Sequence, residues 1–330
     1  MNTIQLPESH PPAGGPGPRL VCFLLVPEFS MLSFSAALEP LRVANTIAKR
    51  RLFDWRVVSA DGRGVACSNG LTIDPEAAID AVPRAWAVVV CGGGGSHLVD
   101  LKRSGAWLRR LDRAGARVGA ISDGTYVLAR AGLLGRRRST IHWKCLPGFR
   151  ETYPELAVED AMYVIDGNRF TCSGGTASMD LMLRLIEDEV GRDLAMAVAE
   201  NFMHGDIRGA GMRQRKSVIE RHELGNATLA KALALMERHI EEPLTIAEIG
   251  ARLGVSPRQV ERLFAAYFQV TPRQFYRELR LQGAHHLLKH SSLSVTEIGI
   301  ACGFVSMSHF AKCYRAYFGV SPRSERRRAA

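Results

Sequence analysis

Leu244-Thr245-Ile246-Ala247-Glu248-Ile249-Gly250 returns, 49 positions later, as Leu293-Ser294-Val295-Thr296-Glu297-Ile298-Gly299. Gly254 and Gly303 keep that offset. The register then slips by one, so that Ala266-Tyr267-Phe268 falls on Ala316-Tyr317-Phe318, and Val270, Pro272 and Arg273 fall on Val320, Pro322 and Arg323. Two copies of one supersecondary unit account for this pattern. In the first, Ile246, Ile249 and Leu253 recur at helical spacing, and Gly254 ends the helix. Ser256 is placed to cap a second helix, with Pro257 at its first position, where a missing N–H costs little. Val260, Leu263, Phe264 and Tyr267 are its expected inward stripe. The second copy has Gly303 at the turn, Ser306 as cap, and Phe310, Cys313, Tyr314 and Tyr317 as inward residues. Gly250 and Gly299 sit where a missing side chain lets two helices approach closely.

Helix, tight turn, helix is an arrangement whose second helix can enter a DNA major groove. Charge supports this over a merely structural bundle. Residues 226–330 carry 15 Lys and Arg against 8 Asp and Glu, whereas residues 1–225 carry 28 against 25. Most of the excess positive charge therefore lies with the repeats, as a phosphate-binding surface requires. Off the apolar faces lie Arg258, Gln259 and Arg262 on the first recognition helix, and Ser308, His309 and Lys312 on the second. These six are the candidate DNA-reading residues, Arg262 being best suited to a bidentate contact with guanine. From Pro272 to Lys289 only Gly283 interrupts a pattern with Phe275, Leu279, Leu287 and Leu288. One connecting helix of roughly 27 Å would set the two readers about one duplex turn apart.

Residues 228–323 resemble the AraC/XylS family of transcription regulators. The resemblance rests on Ile298–Gly303, on Ser306–Phe310–Lys312 and on the Ala316–Pro322 ending. It departs from the family in having Gly250 and Gly299 where alanine is usual, and in ending Pro322-Arg323-Ser324-Glu325-Arg326 without an aromatic residue.

With 330 residues, 46% of them hydrophobic and 23% charged, the chain has room for two soluble globular domains. No apolar run is long enough to span a bilayer, so no membrane partner is expected. Seven scattered cysteines, never in a C-x-x-C pair, read as reduced core thiols in a cytoplasmic protein, and neither metal nor cofactor is expected. Residues 1–18, rich in proline and glycine, are expected to be a disordered tail. Strands then alternate with helices: Leu20–Val26, a helix through Leu38 and Leu41, Trp55–Ser59, Ala85–Cys91, a helix from Trp107, Arg117–Ile121, and a helix over Tyr126–Ala131. Such alternation builds a largely parallel sheet covered on both faces, with ligands beyond the carboxyl ends of the strands. Asp206–Gly225, with Arg208, Gly209, Gly211, Arg213, Arg215 and Lys216, has the composition of a linker. Residues 226–326 then form the DNA-binding domain.

Three strand ends draw attention. Ala87–Cys91 enters Gly92-Gly93-Gly94-Gly95, which either admits a ligand to the backbone or is a plain turn; no Gly-Lys-Ser/Thr follows, so it is no Walker loop. Val118–Ile121 enters Ser122-Asp123-Gly124-Thr125, the kind of elbow on which α/β enzymes hold a nucleophile. Thr171–Thr176 leads into a helix over Ala177–Val190, and free N–H groups near Gly175 and Thr176 would suit a carboxylate.

Together with Glu39-Pro40-Leu41-Arg42, Ala44-Asn45, Ala131–Leu134 and His142-Trp143, these turns resemble the amidotransferase-like (PfpI-type) domain of GlxA-like regulators, over residues 19–205. The resemblance implies a flavodoxin-like α/β sensor ahead of the all-α tandem helix-turn-helix domain. In catalytic members of the wider superfamily the elbow residue is a cysteine paired with a histidine; here it is Ser122, with His142 as the matching partner. A hydroxyl is a far weaker nucleophile than a thiolate, which favours binding over catalysis; a hydrolase using Ser122 and His142 is the alternative. The resemblance implies an effector such as an amino acid or a quaternary amine of the carnitine or betaine kind, and activation of catabolic genes. A small-molecule effector, operator DNA, RNA polymerase and a second copy of the chain are thus the implied partners. Tyr126 and Trp143 could face a cationic head, with Asp123 or Glu39 as counter-charge.

Overall fold

The computed structural model describes residues 17–97, 99–214, 226–291 and 293–329. The expected tail falls almost wholly outside them, as do residues 215–225 of the expected linker. The chain divides into two units, the first ending at Gln214.

The first unit follows the expected alternation. Its main elements are β1 (Arg19–Leu25), α1 (Met31–Ala48), β2 (Phe53–Ser59), the two-residue strands β3 (Val65–Ala66), β4 (Thr72–Ile73) and β5 (Ala77–Ala78), β6 (Ala87–Cys91), α2 (Lys102–Arg113), β7 (Arg117–Ile121), α3 (Thr125–Arg130), α4 (Leu146–Thr152), β8 (Tyr163–Asp166), β9 (Arg169–Cys172), α5 (Ala177–Val190) and α6 (Arg192–Asn201). Seven strands pair in the order β5-β2-β1-β6-β7-β9-β8, parallel except for β8 against β9. The central strands are apolar along their whole length because both faces are covered. One core joins α1, α5 and α6 to the sheet through Phe23, Leu41, Val89, Phe170 and Leu181. The other joins α2, α3 and α4 through Leu24, Val88, Val118, Leu108 and Phe149. Strand order reverses about β1, with β2 on one side and β6 on the other, which opens the crevice at the carboxyl ends of β1 and β6.

In the second unit α7 (Ala227–Arg238) precedes the first motif, α8 (Ile246–Leu253) and α9 (Pro257–Phe268). The connector α10 (Pro272–His290) leads to the second motif, α11 (Val295–Ala301) and α12 (Met307–Phe318), and α13 (Pro322–Ala329) follows. Both motifs start on a capping box, Thr245 with Glu248 and Ser294 with Glu297. Ser256 and Ser306 cap the recognition helices, accepting from the N–H groups of Gln259 and His309. A Cβ on Gly250 would meet the backbone at Val255 O, 2.7 Å away, so the turn packs closely there, whereas one on Gly299 would meet only the mobile end of the Met307 side chain, Sδ at 2.6 Å, before the Phe310 ring at 3.2 Å. The connector serves two cores. Phe275, Tyr276 and Leu279 pack with the first motif, and Leu281, Ala284, Leu287 and Leu288 with the second. Tyr267 and Tyr317 depart from expectation: they are 46% and 42% exposed, because the inward stripe ends one turn earlier, at Phe264 and Tyr314.

Candidate effector site and nucleic-acid interface

At the end of β7 the backbone of Ser122 takes φ +55°, a left-handed conformation that a residue with a side chain adopts only when its surroundings impose it. The surroundings are tight. A Cβ on Gly92 would overlap the backbone of Gly124, and one on Gly124 would overlap Val90 O. A Cβ on Gly93 would collide with Glu28 O. The first two glycines of the Gly92–Gly95 run are therefore demanded by backbone packing around the elbow, and ligand approach is not needed to explain them. Ser122 itself is 8% exposed. A Cβ on Gly174 would lie 2.8 Å from its Cβ and 3.0 Å from Ser33 Oγ, so three chain segments converge here. Ser33, in the first turn of α1, accepts the Gly175 N–H at 2.7 Å. Sequence reasoning missed it; the only local signal was a serine just inside a capped helix at the end of β1.

The expected lining residues separate on inspection. Asp123 is buried and, among the described residues, its Oδ1 has no hydrogen-bond partner. Burial pushes its carboxyl up to about 6, against the downward pull of the neighbouring Cys145 thiol. Tyr126 is 3% exposed and turned into the core, edge-on to Phe149 at 4.9 Å, so it does not face a ligand. Burial raises its phenol, whose oxygen has no hydrogen-bond partner among the described residues. Glu39 is ion-paired with Arg42 at 2.7 Å and lies about 9 Å down the axis of α1 from Ser33. That spacing removes it from the elbow as a counter-charge. His142 and Trp143 are half-buried neighbours with ring centroids 5.6 Å apart. Lys144 Nζ stands 5.6 Å from the centre of the Trp143 ring, so that ring already has a cation beside it. The expected free donors at the start of α5 are largely committed. Gly174 N–H goes to Cys172 Sγ, Gly175 N–H to Ser33, and those of Ala177, Ser178 and Met179 to carbonyls of the same turn.

Thr176 is exposed, and its hydroxyl accepts from Arg208 Nη2 at 2.8 Å. Arg208 belongs to a strap rather than to the linker that its composition suggested. Its Nε and Nη2 reach Oδ2 of the fully buried Asp180 at 2.9 and 2.6 Å, and its backbone N–H reaches Oδ1 at 2.9 Å. His204 Nε2 lies 2.8 Å from the same Oδ1. Further on, Met162 N–H donates to Met212 O, and Gln214 Nε2 donates to Thr140 Oγ1 and Ile141 O at 3.0 and 2.8 Å. The linker expected at residues 206–225 thus begins no earlier than residue 215. Residues 204–214 are bolted to both loops that flank the elbow, at Thr176 and just before His142.

In the second unit Arg258, Gln259 and Arg262 on α9, and Ser308, His309 and Lys312 on α12, are all exposed. Among the described residues Arg258, Arg262 and Lys312 have no ion-pair partner, so their charge is available to a ligand. His309 Nε2 lies 3.3 Å from Cys313 Sγ, one turn along the same helix.

Residues 19–188 match the model of the DJ-1/PfpI family, and residues 249–328 match that of a helix-turn-helix domain. The chain is 44% identical over 311 residues to the HTH-type transcriptional regulator GbdR of Pseudomonas aeruginosa, covering 94% of this chain and 84% of that one. It belongs to the AraC-type transcription regulators of the GlxA-like branch. Other similar regulators are CdhR of Pseudomonas aeruginosa, 43% identical over 92% of this chain and 90% of that one, and GlxA of Rhizobium meliloti, 39% identical over 93% and 95%. Among solved structures, an AraC family transcriptional regulator from Pseudomonas putida aligns with TM-score 0.51 and 29% identity, over 56% of this chain and all of that one. A ThiJ/PfpI family protein from Pseudomonas syringae, with TM-score 0.52 and 17% identity over 75% and 98%, shares the fold. The chain is thus a transcription regulator with a DNA-binding helix-turn-helix domain, and among its described residues no helix is long and apolar enough to cross a membrane.

Proposed function

We propose that the protein is a metabolite-responsive activator of catabolic genes, working in the cytoplasm as a homodimer. A small effector, an amino acid or a quaternary amine of the carnitine or betaine type, binds at the elbow and is not chemically converted. Binding changes how the tandem helix-turn-helix domain holds operator DNA or meets RNA polymerase. One observation carries this reading: the strap that leads out of the first unit is hydrogen-bonded to the two loops flanking Ser122, through Arg208 to Thr176 and through Gln214 to Ile141. A ligand that spreads or draws together those loops works directly on the strap. The half-buried Trp143 ring already holds Lys144 Nζ 5.6 Å from its centre, so a cationic head would take the place of that ammonium, with the Asp123 carboxylate as counter-charge.

The strained elbow conformation of Ser122 favours a second reading, a hydrolase using Ser122 and His142. A thermal-shift screen of the whole protein against quaternary amines, amino acids and small carboxylates tests the first, because a ligand that binds only the folded state raises apparent stability by mass action. The expected hit is an intact amine or amino acid that also changes operator affinity. A complete absence of shifts across those classes, or shifts without effect on DNA binding, contradicts it.

A further inference from the structure

Between the two motifs the connector leaves a cleft of about 350 Å³. Its walls are the start of α8 at Thr245 and Ile246, the connector itself, and the second motif at Phe304 and His309. Three arginines of α10 line it and, among the described residues, no carboxylate does. Arg280 is a structural tie. Its Nε and Nη2 donate to Cys302 O and Gly303 O at 2.7 and 2.6 Å, and its guanidinium stands 4.2 Å from the centre of the Phe304 ring.

Arg273 and Arg277 are different. Both are exposed, and among the described residues neither has a hydrogen-bond or ion-pair partner. They lie one helical turn apart, about 6 Å between Cβ atoms, on the face that looks into the cleft. Among the described residues the nearby acids make no ion pair with either arginine. Glu248 is folded back onto the N–H and hydroxyl of Thr245 at 2.7 and 2.8 Å, and Glu278 accepts from Gln274 at 2.9 Å. Two guanidinium forks without ion-pair partners, in one cleft that no described carboxylate lines, make a site for phosphate oxygens. His309, on the exposed side of α12, lines the same cleft, so an anion reaching Arg277 lies beside the DNA-reading surface.

We propose that this cleft takes the duplex sugar-phosphate backbone where it passes between the two major grooves entered by α9 and α12, with Arg273 and Arg277 as its phosphate contacts. The proposal rests on the DNA-reading account above. The contact is blind to sequence and fixes the distance between the two readers.

The test is a salt titration of the full-length protein by fluorescence anisotropy. The probes are a duplex that wild type selects from a random pool and a scrambled duplex of equal length. Losing two phosphate contacts in the Arg273→Ala/Arg277→Ala variant should flatten the slope of log K against log salt by about 1.8. Both duplexes should weaken by the same factor, so their affinity ratio stays that of wild type. Lysine at both positions should keep most of the slope, and all variants should melt with wild type, because neither side chain has an internal partner. Inorganic phosphate at constant ionic strength should compete no better than chloride. An unchanged slope, a fall in the affinity ratio, or selective competition by phosphate overturns the cleft assignment. Arg262→Ala, measured alongside, should lower the affinity ratio. That loss, seen beside an unchanged slope in the double variant, would leave the groove-reading account standing without the cleft. A wild type with no affinity for either duplex would overturn both.

Discussion

Ser122 stores backbone strain that a glycine would release, since an L side chain in the left-handed region costs roughly 1–2 kcal/mol. Ser122→Gly should therefore raise stability by about 1 kcal/mol in denaturant melts; a loss of stability would mean that the side chain is itself a packing group. Asp123 makes the opposite kind of contribution. Its carboxyl is pushed from an ordinary 3.8 to about 6 by burial, so on raising pH the unfolded chain ionises first and the folded state falls behind. Stability from this group is complete below about pH 4 and declines by about 2–3 kcal/mol as pH passes 6. The melting temperature of Asp123→Asn relative to wild type should climb across that interval, and a flat difference would show that the carboxyl is not desolvated. At this scale the sequence disclosed the elbow, because Ser-Asp-Gly-Thr after an apolar strand has a specific geometry. It did not disclose which way neighbouring side chains point. Tyr126 and Glu39 were expected at the ligand for their chemistry, an aromatic face and a counter-charge for a cationic head, yet helix phase turned one into the core and set the other beside Arg42.

Two glycines of the DNA-binding unit show how an element decides the outcome of one substitution. Gly283 lies inside the connector with only Cys302 Sγ, at 3.8 Å, near a would-be Cβ; Gly283→Ala should stabilise by about 0.5–1 kcal/mol. Gly303, at φ +72°, would drive a Cβ to 2.5 Å from Ile240 O and 2.8 Å from Glu241 O. Gly303→Ala should destabilise by more than about 1 kcal/mol and loosen the fit of the second motif against residues 240–243. Equal effects of the two changes on melting would refute this. The repeat, its caps and its glycines were legible because each obeys a local rule of helix ends. The strap was not, because its partner Asp180 is 28 residues from Arg208, and composition is silent about long-range pairs. Arg208→Ala should cost about 3 kcal/mol by leaving Asp180 buried without its guanidinium. A circular-dichroism melt within about 0.5 kcal/mol of wild type would show that the strap is not held by that pair.

For the molecule as a whole, the proposed function amounts to one claim, that a domain with the DJ-1/PfpI fold serves a DNA reader without turning over its ligand. The connector adds a geometric condition. Five base pairs inserted between the two groove contacts, about half a duplex turn, should abolish binding by the DNA-binding unit; undiminished affinity would mean that the motifs read independently. The central claim is tested most directly by a reporter assay at graded concentrations of the ligand found by thermal shift, with mass spectrometry of that ligand after incubation with wild type and with Ser122→Ala. One lost hydrogen bond is worth about 0.5–1.5 kcal/mol, so Ser122→Ala should shift the half-response concentration by roughly tenfold or less. The maximal response should be kept, and the ligand recovered intact from both proteins. A ligand consumed by wild type and spared by Ser122→Ala would contradict the account and make the first unit a working hydrolase.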